Sequence, residues 1–111
     1  MDLLDYAEGQ RRRDAGMDQA VGNAEQKTPG WPEKALAFIE MQPIGKVFMV
    51  EDIRVYAYSR GLPRPPSNRA WGGVIKKARQ LGLVKHIGYA PVKNPAAHAG
   101  MASQWQRVTP E

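Results

Sequence analysis

Four breaks confine this chain to short elements. Residues 27–30 (Lys-Thr-Pro-Gly), 43–45, 61–66 and Gly82 each place a proline or glycine where a regular element must stop. Between them the sequence alternates helix and strand signals. Pro32 suits the first turn of a helix, and Ala35, Leu36, Ile39 and Glu40 follow, with Trp31 and Phe38 nearby, until Pro43 and Gly45 end it. Residues 47–50 are a short apolar run that reads as a brief strand. Residues 51–60 read as a second helix. Glu51 and Asp52 suit the positive end of its dipole, Ile53, Tyr56 and Ala57 form its inner face, and Gly61 is placed for a left-handed cap. Its start is unusual, because Met49 or Val50 stands where a Ser, Thr or Asp is expected.

Ser67 or Asn68 caps a further helix that reaches about Leu81, with Gly82 as its stop. Residues 83–90 and 103–108 are β-like and flank a Pro/Gly/Ala-rich stretch at 91–102, which makes a hairpin with a long tip. The class is therefore α+β. Residues 1–28 form a separate arm and residues 29–111 the domain. In the arm, Leu3, Leu4, Tyr6 and Ala7, then Met17, Ala20, Val21 and Ala24, recur at helical spacing. Gly9, Gly16 and Gly22 each cost a helix about 1 kcal/mol relative to alanine, so the arm reads as one broken helix or two short ones. Three uses fit it: a flexible arm, a helix for a protein partner or self-association, or a helix that packs on the domain.

Charge is divided along the chain. The first 52 residues hold ten acidic against six basic side chains, while residues 53–110 hold ten lysines and arginines and no acid. An unopposed cluster of one sign suits a polyanion, with nucleic acid the first candidate. On ideal helix geometry, Trp71, Val74, Ile75, Ala78 and Leu81 fall on one apolar face of the helix at 67–81. Arg69, Gly73, Lys76 and Gln80 gather on the opposite face, flanked by Gly72, Lys77 and Arg79. Solvating faces usually mix signs, and this one does not. Arginine and lysine can donate to guanine, and glutamine can pair with adenine. The Gly72-Gly73 pair implies close approach, Gly72 to another helix and Gly73 to a DNA backbone, or else a kink. Trp71 and Trp105 read as core and Trp31 less clearly so, which favours duplex over single-strand binding.

The order helix, strand, helix, turn, helix, strand, loop, strand over about residues 30–109 resembles the winged helix-turn-helix, with three helices and a C-terminal β-hairpin wing, here carrying the N-terminal arm. The Leu81-Gly82-Leu83-Val84 step is similar to the turn that ends recognition helices in such domains. The runs Glu51-Asp52-Ile53-Arg54, Asn68-Arg69-Ala70-Trp71-Gly72 and Gly88-Tyr89 are similar to small proteins encoded by phages and prophages. The resemblance implies binding to double-stranded DNA, in transcription regulation or DNA replication. It implies that the helix at 67–81 enters the major groove, presenting Arg69, Lys76 and Gln80, with Ser67, Asn68 and Gly73 also in contact with the DNA. Lys77, Arg79 and Arg64 would meet phosphates, as would Arg54 and Arg60, with Lys93 and Arg107 as wing contacts.

An interaction module for a replication or host regulatory protein, using the arm and basic face, is the alternative. A third reading has the acidic arm compete with DNA for the basic face. Catalysis is not expected: the acids lie apart from the basic half, the only histidines are His86 and His98, and cysteine is absent, so neither a metal nor another cofactor is implied. The N-terminus lacks the charge and apolar run of a signal peptide, and no run reaches a membrane span, so a cytoplasmic location is expected.

Overall fold

The computed structural model describes residues 3–92 and 100–110, with side chains from Glu8 onward. It is an α+β fold of four helices and one three-stranded sheet. The elements are α1 (Leu3–Lys27), α2 (Trp31–Glu40), β1 (Val47–Met49), α3 (Val50–Ser59), α4 (Arg69–Gln80), β2 (Val84–Pro91) and β3 (Met101–Arg107).

The helix ends follow from local chemistry. Gly30 takes φ 83° before α2, and its N–H is held by the Glu25 carboxylate at 3.0 Å. The odd start of α3 is satisfied from inside the helix: the Asp52 carboxylate accepts the Met49 N–H at 3.1 Å, half of a capping box with no capping side chain at 49 itself. Both α3 and α4 close with the same motif. Gly61 (φ 96°) donates to Tyr58 O and Leu62 to Ala57 O, while Gly82 (φ 77°) donates to Arg79 O and Leu83 to Ala78 O. This is the pairing of a left-handed glycine with an apolar residue behind it. Ser67, not Asn68, supplies the side-chain cap of α4, its Oγ accepting the Arg69 N–H at 3.2 Å.

The sheet is antiparallel in the order β1-β3-β2, so the last strand lies between the other two. Phe48 and His86 both pair with Trp105, and the register of β2 shifts between His86 and Gly88, where Gly88 takes φ 151°. Strand β3 begins at Met101, two residues before the expected 103, and β2 continues to Pro91.

The core is organised by two tryptophans. Trp31 and Trp71 are fully buried and meet edge to face with centroids 5.3 Å apart. Their indole N–H groups are both satisfied, Trp31 by Pro63 O at 2.8 Å and Trp71 by the Tyr58 hydroxyl at 3.0 Å. Ala35, Ile39, Ile53, Ala57, Val74, Ile75, Ala78 and Trp105 are among the buried residues packed with them.

Helix α1 is unbroken from Leu3 to Lys27, where the glycines led us to expect an interruption. Contact with the domain offsets the glycine cost, as tertiary packing does for most helices. Ala20 and Ala24 are buried in the common core, and Met17 and Val21 are half-buried against α4. Of the three uses the sequence leaves open, the structure has α1 packed on its own domain. No helix among the described residues is long and apolar enough to cross a membrane.

Candidate nucleic-acid interface

Helix α4 is in contact with α1, α2, α3 and β2. Its apolar side, with Trp71, Val74, Ile75 and Ala78, enters the core. Its opposite side, expected to face DNA, meets α1. The meeting point is the glycine pair. A Cβ on Gly73 would stand 2.4 Å from Val21 Cγ2 and 3.3 Å from the Met17 carbonyl oxygen, and a Cβ on Gly72 would stand 2.6 Å from Met17 Sδ. Both glycines therefore serve helix-to-helix approach. The expectation that Gly73 lies open to a DNA backbone is corrected, because that space is filled by α1.

Lys76 also meets α1. It is half-buried, and its ammonium lies 3.9 Å from Asp14 Oδ2 and 3.8 Å from Asp18 Oδ1 on α1. A half without acids in sequence acquires them in space, because α1 folds back over it. These are long, partly exposed pairs of the kind that add little stability. Their effect is electrostatic neutralisation of one cation on this face.

The remaining members of the strip divide. Arg69 is exposed, with its guanidinium against the open side of Gly16, 3.3 Å from where a Cβ would be. Lys77 and Gln80 are exposed and share a groove with Asp18 and Val21 of α1 and Pro32, Glu33 and Leu36 of α2. Asn68 and Arg79 are exposed, Asn68 beside Arg12 and Arg13 of α1, whereas Ser67 is half-buried with its hydroxyl engaged as the cap. Arg64 is exposed in the turn leading into α4 and rests on the Tyr58 ring, 4.6 Å from its centroid, so a cation–π contact sets its position. Arg60 similarly lies over Tyr56 at 5.2 Å.

Arg107 does not belong to this surface. Its guanidinium donates to Glu40 O through Nε and Nη2 at 3.2 Å each, and through Nη1 to Leu83 O at 3.1 Å and to Val108 O. It ties the end of α2 to the strand ends, so its expected role as a wing contact is replaced by a structural one. Arg107→Met is expected to lower unfolding free energy by about 2 kcal/mol in a denaturant titration, since charge-assisted bonds to three carbonyls are lost together. Lys93, with Asn94 and His98, lies outside the described residues.

One group of functional candidates was missed from the sequence. Arg12 and Arg13 of α1 line a second groove together with Met17, Asn68, Arg69 and Gly72. The signal was present as the triplet Arg11-Arg12-Arg13, but it stands within the acidic first half and was counted with it. Among the described residues, no group of three His, Asp or Glu side chains is placed to hold a metal ion.

No family model matches the chain. Nor does any curated protein or solved structure at a significant level. The functional reading therefore rests on the site alone. The described ion pairs on α1 and α4 are Arg12 with Glu8 and Lys76 with the two aspartates, which leaves Arg64, Arg69, Lys77 and Arg79 exposed and without an ion pair among the described residues.

Proposed function

We propose that this chain is a winged-helix protein that binds duplex DNA, in transcription regulation or DNA replication, and that it holds the duplex mainly by its phosphates. The observation that carries the reading is the set Arg64, Arg69, Lys77 and Arg79, exposed around one helix and the turn before it, with no acid bridging them among the described residues. Cations concentrated on one element and left without an ion pair among the described residues favour a polyanion. The sheet order β1-β3-β2, with the hairpin following α4, supports the winged-helix part of the proposal.

With α1 seated, Gly73 and Lys76 are not offered to base edges, which leaves mostly contacts that position a protein without reading sequence. The interaction-module alternative has less to work with, since Met17, Ala20, Val21 and Ala24 are already turned to the domain. It keeps only the basic face, for an acidic partner.

Duplex titration at several salt concentrations tests the proposal. If about five phosphates are neutralised, log K falls against log salt with a slope of about −4.5. Random and specific duplexes should differ little in slope. A slope near zero, or binding that does not depend on salt, overturns the reading.

A further inference from the structure

We infer that the groove where α1 meets the start of α4 seats one sugar-phosphate backbone of the duplex, gripped by arginines from both helices. This rests on the DNA reading above and names a surface that the basic half of the sequence does not contain by itself. Arg12 and Arg13 reach the groove from α1, Arg69 and Asn68 from α4, and Met17 with Gly72 form its floor. All four polar side chains are exposed.

The chemistry favours phosphate. Among the described residues no acid lines this groove, while Glu8 bridges Arg12 at 2.7 Å on an exposed turn of the same helix. Arg13 and Arg69 make no ion pair among the described residues. Like charges brought to one groove repel unless an anion enters. The planar fork of arginine fits a phosphate's oxygens in pairs, which a lysine cannot do. Asn68 adds an amide donor.

Charge on α1 is also sorted by side. On ideal helix geometry Asp14 and Asp18 lie about 100° and 140° around the axis from Arg13, and they point to Lys76 across the contact. Met17 lies within about 40° of Arg13, on the groove side. One flank of the α1–α4 contact is thus acidic and neutralised, and the other is basic and open.

An extended backbone fits better than an isolated anion because the strip continues. Asn68 and Arg79 are both exposed and fall within about 20° of one another on α4, so the basic side runs from the arginines of α1 along α4 to Arg79. That span is about 16 Å at 1.5 Å per residue, enough to follow several phosphates at about 3.4 Å of duplex axis each.

The test compares salt slopes for full-length variants on one random duplex. R13Q/R69Q is expected to reduce the magnitude of the slope by about 1.8, or 0.9 for each lost phosphate. K27Q/K34Q removes the same net charge away from the groove and is expected to keep the wild-type slope. R13K/R69K is expected to keep it too, with weaker binding. Should R13Q/R69Q fail to fold, R13Q alone is expected to lower the slope by about 0.9. An unchanged slope in R13Q/R69Q, or an equal reduction in K27Q/K34Q, overturns the groove while leaving the DNA reading in place. Absence of salt-dependent binding by the wild type removes both.

Discussion

Trp71→Ala is expected to cost about 3–5 kcal/mol, the range for emptying a buried aromatic site. Against a total stability of about 5–15 kcal/mol for a native domain, that removes a large share of the fold. The effect is large because one side chain serves three elements. Trp71 is 1% exposed, meets Trp31 of α2 edge to face at 5.3 Å and Tyr58 of α3 at 6.2 Å, and itself belongs to α4. Alanine leaves a void between three helices that cannot close without moving one of them. It also strips the Tyr58 hydroxyl of its indole donor. Trp71→Phe keeps most of the packing and loses the hydrogen bond, so its cost should be clearly smaller. Tyr58→Phe should cost about 1 kcal/mol, with a further effect on Arg64, which lies over the same ring. Denaturant titrations of the three variants check the order. A Trp71→Ala loss below about 1.5 kcal/mol, well under the buried-aromatic range, would mean that the helices are held together elsewhere.

The parts of this fold that were legible in the sequence are those governed by neighbours along the chain. Gly61-Leu62 and Gly82-Leu83 end helices because a left-handed glycine and a following apolar residue form a local motif. Trp71 was legible as core from its place on the apolar face of one helix, and the strand pair from two β-like runs and the Pro/Gly/Ala-rich stretch between them. Even the irregular start of α3 could be resolved locally, by Asp52 three residues on.

What was not legible was decided between elements distant in sequence. The acid-free half looked uniformly open because charge was counted along the chain. Asp14 and Asp18 reach Lys76 only through the packing of α1. Arg107 carries the same charge as Arg79, yet one is spent on three backbone carbonyls and the other is exposed; nothing in their local sequence distinguishes them. The arginine triplet of α1 was hidden for the opposite reason, since a basic run inside an acidic segment averages away. The glycine pair was half legible: its close approach was anticipated, but both glycines turned out to face the same helix.

That pair gives the most discriminating substitution. Two alanine variants one residue apart should behave differently, although each replaces a helical glycine and so gains about 1 kcal/mol of helix propensity. At Gly72 the new Cβ meets only Met17 Sδ and Cγ, at 2.6 and 3.3 Å. Methionine is flexible enough to turn aside, so Gly72→Ala should be near neutral or stabilising by up to about 1 kcal/mol. At Gly73 the Cβ meets Val21 Cγ2 at 2.4 Å and the Met17 carbonyl oxygen at 3.3 Å. Valine is stiff at χ1, and a backbone carbonyl cannot move without its helix. Overpacking of this kind costs about 1–3 kcal/mol, which exceeds the propensity gain, and Gly73→Leu should sit at the top of that range. The loss should be concentrated in α1, visible as faster amide hydrogen exchange over residues 14–27 while α2, α3 and α4 keep their protection. Equal stability of the two alanine variants would show that α1 is not seated on Gly73. Gly73→Leu also separates two roles for α1. If its arginines help grip the duplex, lifting it weakens DNA binding; if its main effect is to cover Lys76 with Asp14 and Asp18, lifting it tightens binding.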